Sequence, residues 1–364
     1  MKRVLRICTY PTQEIPSMGK NSFMISGMDS VETIFLAPFY SNNTLPVKKN
    51  TRLFLRPFLI TPSPSSFFHR IAHEVKRLRY ILSFSASGIG LIHNYHVDIV
   101  HVHSPMYFLV ALYARIIGKS CFITYHGNEH SIIYSNRLIG SLFNKVFNLT
   151  FSLSVDILKY RNIFPKYGNK FRTVNNSVEE KIFSDKGQKR SKKIIAVGRM
   201  EAQKGYEYLL RGFKEFHSKN TEYKLQIVGD GSLSSDLESQ VRELNLSDFV
   251  VLSGRLNQEQ LVEAYNDSEI FIMTSLWEGF PKVLLEAMSC GCKIVATRVD
   301  AIPSILTPNY KYLINSKSDK DICESLSGII NEDIVELSAF YRKRLEQYSW
   351  LDIKKDMERV YLLY

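Results

Sequence analysis

Short apolar runs rich in β-branched residues alternate with helical patterns along the chain, and the alternation occurs twice over. In the first half the strand-like runs are Val4–Cys8, Thr33–Ala37, Asp98–Val102, Cys121–Thr124, Leu149–Leu153 and Phe171–Val174. In the second half they are Lys193–Val197, Leu225–Val228, Phe249–Leu252, Ile270–Met273 and Ile294–Ala296. Strands that alternate with helices form βαβ units, in which each crossover returns the chain to the same edge of a parallel sheet. Each half therefore predicts a doubly wound α/β domain, and 364 residues are enough for two such cores. Ser184 to Ser191 is polar, charged and glycine-containing, the composition of a linker. The predicted domains are 1–183 and 192–345. Open parallel sheets bind ligands at the carboxyl ends of their strands, so two of them facing each other place a ligand in a cleft.

Within the second half, Thr274 to Gly291 reads TSLWEGFPKVLLEAMSCG. Pro281 suits the first position of a helix and Gly291 the position just past its end, which predicts a helix over 281–290. Glu278 then precedes the helix, while Glu286 lies more than a turn inside it. The free N–H groups and positive dipole end of such a helix favour an anion such as a phosphate. Arg199 follows a strand and Lys204 comes five residues later, two cations suited to a diphosphate. The bland alternatives are a solvated loop with surface charges and acids near a helix start.

Charge is unevenly distributed. Residues 1–190 carry 25 Lys and Arg against 10 Asp and Glu, a net +15, and residues 191–364 carry 22 against 26, a net −4. The basic half calls for an anionic partner, and no nucleic-acid recognition motif accompanies it, so no nucleic acid is expected. Residues 67–82 place apolar side chains at 67, 68, 71, 75, 78, 81 and 82 in a helical stripe, with Arg70, Lys76, Arg77 and Arg79 largely off it. Two outcomes are open: the helix docks on an anionic membrane surface, or it buries its stripe in the domain core. The five cysteines are scattered and read as reduced, and Cys290-Gly291-Cys292 lacks a second pair for zinc. His101 and His103 share a strand face but lack a third ligand, which favours a buried structural role. Asp319-Lys320-Asp321 reads as helix cap and first-turn acids, so no metal and no cofactor are expected. No apolar run is long enough to span a bilayer, and Met1–Leu5 leads into a strand instead of a secretory signal, so a cytoplasmic location is expected.

Taken in order, several motifs resemble the retaining GT4-type glycosyltransferases of the GT-B fold. They are Asp98–His103, His126-Gly127, Asn176-Ser177-Val178, Val197-Gly198-Arg199, Lys204-Gly205, Ile227–Gly231, Ser253-Gly254, and Glu278 with Glu286 separated by seven residues. The resemblance implies two Rossmann-like domains facing a cleft, with a final helix over 346–364 crossing back to complete the first domain. It also implies a nucleotide-sugar donor held by Gly198, Arg199, Lys204, Gly254, Arg255, Glu278, Gly279, Phe280, Pro281, Lys282, Val283 and Glu286. In this reading Arg199 and Lys204 clamp the donor phosphates, Glu286 accepts from the ribose hydroxyls, and Glu278 and His126 approach the transferred sugar. Met18 and Gly19 fall in the first loop, on the acceptor side. Pro16–Lys20 carries one glycine where many relatives have a pair, Asn175-Asn176 replaces the commoner Pro-Asn, and Val299–Ser304 departs from the Gly-Gly and Pro-Glu often found there. The implied function is transfer from a UDP-sugar to a glycan or lipid-linked glycan, peripheral to the membrane. A nucleotide-sugar epimerase or another enzyme on the same scaffold, and an inactive nucleotide-sugar-binding partner subunit, remain as alternatives.

Overall fold

The structure, a computed structural model, describes residues 1–8, 26–39, 47–57, 67–126, 129–153 and 155–364. Met18, Gly19 and Gly127 lie outside these described residues, as do the side chains of residues 67–73. The chain forms two compact units, Met1–Asn175 with Trp350–Tyr364, and Asn176–Ser349.

The first unit is built on a seven-stranded parallel sheet: β1 (Lys2–Ile7), β2 (Val31–Phe39), β3 (Thr51–Pro57), β4 (Ile99–Val102), β5 (Ser120–Tyr125), β6 (Leu149–Ser152) and β7 (Phe171–Thr173), in the order β3-β2-β1-β4-β5-β6-β7. The second is built on six parallel strands: β8 (Ser191–Val197), β9 (Lys224–Val228), β10 (Val250–Leu252), β11 (Ser268–Met273), β12 (Lys293–Thr297) and β13 (Leu313–Ile314), in the order β10-β9-β8-β11-β12-β13. In both sheets the order reverses beside the first strand, which makes each unit doubly wound as the alternation predicts. Central strands such as β4 and β12 are buried along their whole length, because helices cover both faces of a parallel sheet. Two strands were not foreseen, β3 and β13. Both are edge strands; β3 interrupts its apolar residues with Arg52 and Arg56, and β13 is only two residues long.

The stretch expected as a linker belongs to the second unit. Asn266 accepts from the Lys186 N–H at 2.8 Å and donates to the Ser184 carbonyl at 3.1 Å. Arg190 reaches the carbonyls of Tyr265 and Ser268, and Ser191 already begins β8.

The final helix, Trp350–Leu363, packs on the first sheet. Its Met357 and Tyr361 join Val4, Ile99, Phe122 and Phe151 in one apolar cluster. Polar bonds orient it: Glu358 accepts from the Ser30 N–H at 2.6 Å, Lys354 donates to the Gly27 carbonyl at 2.7 Å, and the Tyr361 hydroxyl lies 2.6 Å from His101 Nδ1.

The basic amphipathic segment is part of a longer helix, Phe67–Asn94, and the described part of its stripe is divided between the two readings above, with Ile81 packed on the core. Tyr80, Phe84, Leu91 and Ile92 enter the core, whereas Val75, Leu78 and Leu82 are 46%, 56% and 51% exposed. That part of the apolar stripe therefore faces outward together with Lys76, Arg77 and Arg79.

Tyr361 is fully buried, so Tyr361→Ala is expected to destabilise the first unit by about 3–5 kcal/mol, read as a lower denaturant midpoint. Leu363→Ala, at a position 78% exposed on the same helix, should stay within about 0.5 kcal/mol of wild type.

Candidate functional site

In the second unit the loops after β8 and β11 are joined edge to edge. The Leu276 N–H donates to the Gln203 carbonyl at 2.7 Å, the Gln203 side chain donates to the Trp277 carbonyl at 2.8 Å, and the Thr274 hydroxyl donates to the Lys204 carbonyl at 2.9 Å. Gly205 permits this closeness: it is left-handed (φ 61°), and a Cβ there would sit 2.5 Å from the Thr274 carbonyl oxygen. Gly198 has a different reason to be glycine, since a Cβ would lie 2.8 Å from Cε of Lys204. The lysine side chain occupies the space that Gly198 leaves.

This arrangement brings Lys204 and Glu278 into a direct ion pair, with side chains only 13% and 9% exposed. Ser275 donates its hydroxyl to the same carboxylate at 2.8 Å, and Asp300 accepts from the Glu278 backbone N–H at 2.6 Å. Beside them the Tyr206 hydroxyl is buried with no hydrogen-bond partner among the described residues, and burial with the Glu278 charge raises its pKa. Few solvent molecules reach such a pair, so its charges act through a lower effective dielectric than surface charges do.

The helix that follows is Lys282–Ser289, with Pro281 at its N-cap and Gly291 left-handed (φ 76°) beyond its end. Pro281 therefore stands one position earlier than predicted, in an extended conformation (φ −78°, ψ 101°), and the amides of the first turn follow it, with the Leu284 N–H donating to the Pro281 carbonyl at 3.2 Å. Glu286 lies in this helix, half-buried, where Tyr265 donates to it at 3.3 Å. Val283 and Lys282 are half-buried in the first turn, Phe280 packs against the Tyr348 ring at 5.5 Å, and no atom would obstruct a Cβ at Gly279. Arg199 is exposed at the end of β8. Gly254 is left-handed (φ 63°) after β10 and accepts at its carbonyl from the Gly229 N–H at 2.8 Å. Arg255, 80% exposed, lies 3.7 Å from Asp230 in a surface pair of little energetic weight.

Three contributors were not foreseen: Ser275, Tyr265 and Asp300. Asp300 has positive φ (44°) and stands in the segment that departs from the family pattern. No spacing rule in the sequence connects it to the Glu278 amide, 22 residues away.

In the first unit, His126 follows β5 and is exposed, with Nε2 2.9 Å from Nδ1 of His103. Both nitrogens of His101 are engaged, by the Tyr361 and Thr124 hydroxyls. Among the described residues no three His, Cys, Asp or Glu side chains are placed to share a metal ion. Asp319 and Asp321 sit in the first turn of Asp319–Ile329, whose N-cap is Ser318.

Residues 177–348 match the family model described as glycosyl transferases group 1, and residues 62–208 match that of glycosyltransferase family 4. The chain is 26% identical over 287 residues to the phosphatidylinositol N-acetylglucosaminyltransferase gpi3 subunit of Schizosaccharomyces pombe, covering 73% of this chain and 61% of that one. It is 28% identical over 217 residues to the N-acetylgalactosamine-N,N'-diacetylbacillosaminyl-diphospho-undecaprenol 4-alpha-N-acetylgalactosaminyltransferase of Campylobacter jejuni, covering 55% and 57%. The match thus spans about three fifths of each of these relatives. Among solved structures, sucrose-phosphate synthase from Thermosynechococcus elongatus superposes with a TM-score of 0.76 at 16% identity, covering 100% of this chain and 99% of that one. Anabaena Alr3699/HepE in complex with UDP gives 0.71 at 13% identity, with 100% of each chain covered. At those identities the likeness carries the fold alone. Two doubly wound parallel sheets, a final helix on the first of them, and two successive family matches spanning residues 62–348 agree: the chain belongs to the group 1, or GT4, family of glycosyltransferases, with the GT-B fold.

Proposed function

We propose that the protein is a retaining glycosyltransferase that moves a sugar from a UDP-sugar to a hydroxyl of a glycan or lipid-linked glycan in cell-surface polysaccharide biosynthesis. The observation that carries this reading is the Lys204–Glu278 pair, held by two interlocked loops just before the amides of the Lys282–Ser289 helix. A cation kept in place by a carboxylate, next to a helix N-terminus, suits a diphosphate whose charge grows as the sugar departs. Arg199 adds a second permanent cation to the clamp. Glu286, oriented by Tyr265, is assigned to the ribose hydroxyls, and Glu278 and His126 to the transferred sugar. Gly198, Gly254, Arg255, Gly279, Phe280, Pro281, Lys282 and Val283 complete the donor side. The acceptor hydroxyl attacks the face from which the diphosphate leaves, and the leaving oxygen takes its proton, so the reaction needs no strong protein base. The UDP held by the Anabaena protein supports the donor, and the names of the fission yeast and Campylobacter relatives support a lipid-borne acceptor and an N-acetylhexosamine.

The acceptor proposal extends to where the protein works. No helix among the described residues is long and apolar enough to cross a membrane. On the Phe67–Asn94 helix, exposed Val75, Leu78 and Leu82 lie among Lys76, Arg77 and Arg79, the combination that an anionic leaflet would attract. Each cation near such a surface contributes on the order of 1 kcal/mol. We assign this helix to peripheral docking on the cytoplasmic face of the membrane that carries the acceptor.

Mass spectrometry of products from a panel of nucleotide sugars and lipid extracts should show one hexosyl or N-acetylhexosaminyl addition. Arg199→Ala and Lys204→Ala should each lower turnover roughly a hundredfold or more with the fold intact, and wild-type turnover in both would remove the clamp. Activity should survive EDTA, since the fixed cations take the charge of the diphosphate; inactivation with rescue by magnesium or manganese would overturn metal independence. Replacing Arg70, Lys76, Arg77 and Arg79 with Gln should abolish co-sedimentation with anionic vesicles at low salt while changing stability little. Equal sedimentation of variant and wild type, or none by wild type, would remove the helix as a docking surface.

A further inference from the structure

Arg6 lies near the carboxyl end of β1, opposite His101 in the sheet register, and its side chain is completely buried. Among the described residues no carboxylate pairs with it. Among those residues its Nε and Nη1 have no hydrogen-bond partner, its guanidinium carbon lies 5.8 Å from the centre of the Phe35 ring, and Nη2 lies 3.0 Å from Nε2 of His103. An uncompensated buried cation is costly to a fold, and an apolar side chain of similar length would avoid that cost. The one polar contact that Arg6 makes among the described residues is the first of a series. His103 Nδ1 lies 2.9 Å from Nε2 of His126, and the two imidazoles stack at 5.2 Å and 21°.

The direction of each bond follows from the first. A guanidinium only donates and does not lose its proton, so His103 Nε2 must be the acceptor and carries no hydrogen. A neutral His103 then holds its proton on Nδ1 and donates it to His126 Nε2. The reverse arrangement, His126 donating from Nε2, would leave His103 without a proton on either nitrogen. Burial first, then the charges of His101, Arg6 and His126, hold His103 well below the usual imidazole range, so the middle ring carries a single proton. We propose that Arg6 and His103 are positioning residues that set His126 as its Nδ1–H tautomer. Protonating His126 would put a hydrogen on Nε2 as well and break its bond to His103. The ring is thus kept neutral, with its one proton on Nδ1. The consequence for catalysis rests on the proposed role of His126 at the donor sugar; the tautomer does not.

The test uses the full chain labelled with nitrogen-15 and records two-bond proton–nitrogen correlations of its nine histidines at neutral pH. The His126 signals are assigned by their loss in His126→Gln. A proton on Nδ1 alone is expected, and a proton on Nε2, or on both nitrogens, would overturn the inference without any need for a variant in the series. In Arg6→Met, His103 and His126 should show mixed tautomers, and turnover should fall about 10–100-fold with the donor KM little changed. Arg6→Lys, which keeps a donor, should retain most of the single tautomer. Unchanged tautomers in Arg6→Met would also overturn the inference. Mixed tautomers with wild-type turnover would instead overturn the role of His126 at the sugar.

Discussion

A parallel sheet delivers the carboxyl ends of all its strands to one edge, and the rest of this molecule depends on that constraint. In the second unit it brings the loops after β8 and β11 together although they are some 70 residues apart in sequence, as the 70-residue separation between Thr274 and Lys204 records. In the first unit it places Arg6, His103 and His126, from the ends of three neighbouring strands, in one line of hydrogen bonds. Each grouping follows from strand order and from the shared direction of the strands. In the second unit the approach also needs the left-handed Gly205, where a Cβ would meet the Thr274 carbonyl.

What the sheet brings together, burial makes chemically useful. The Lys204–Glu278 pair is largely shielded from solvent, and a shielded pair costs desolvation that its own attraction only partly returns. A pair whose sole contribution was stability could be replaced by apolar side chains at no loss. Its place beside the buried Tyr206 hydroxyl suits the diphosphate proposed for this site, whereas buried Arg6 acts on His103 in the proposed histidine series. The two units thus share one feature, a buried cation whose position is set by a neighbouring side chain.

Legibility in the sequence followed the range of the interaction. Among the described residues, eleven of the thirteen strands announce themselves as apolar β-branched runs, because a strand covered on both faces must be apolar throughout. Of the two that do not, β3 is broken by Arg52 and Arg56, and β13 is only two residues long. Lys204, Glu278 and Glu286 stood out because local turn and helix signals frame them. Ser275 and Tyr265 carry no such frame, and Asp300 sits where the chain departs from the family pattern, so its bond to the Glu278 amide could be seen only in space. The apolar stripe at Val75, Leu78 and Leu82 shows the opposite limit: periodicity reveals that a helix has an apolar face but not whether the domain covers it.

The sequence alone determined the class of the fold, the number of sheets and the order of the family motifs, since periodicity, turn residues and spacing are local properties written along the chain. Tertiary structure decided which charges meet, which buried groups lack a hydrogen-bond partner among the described residues, and which nitrogen of His126 faces His103. Those outcomes depend on strand order and on side-chain approach across separations of up to 328 residues, as with Ser30 and Glu358. The physical reason is that apolar burial is non-directional and can be satisfied by composition, whereas a hydrogen bond or ion pair exists only when two atoms reach one another at the right distance and angle.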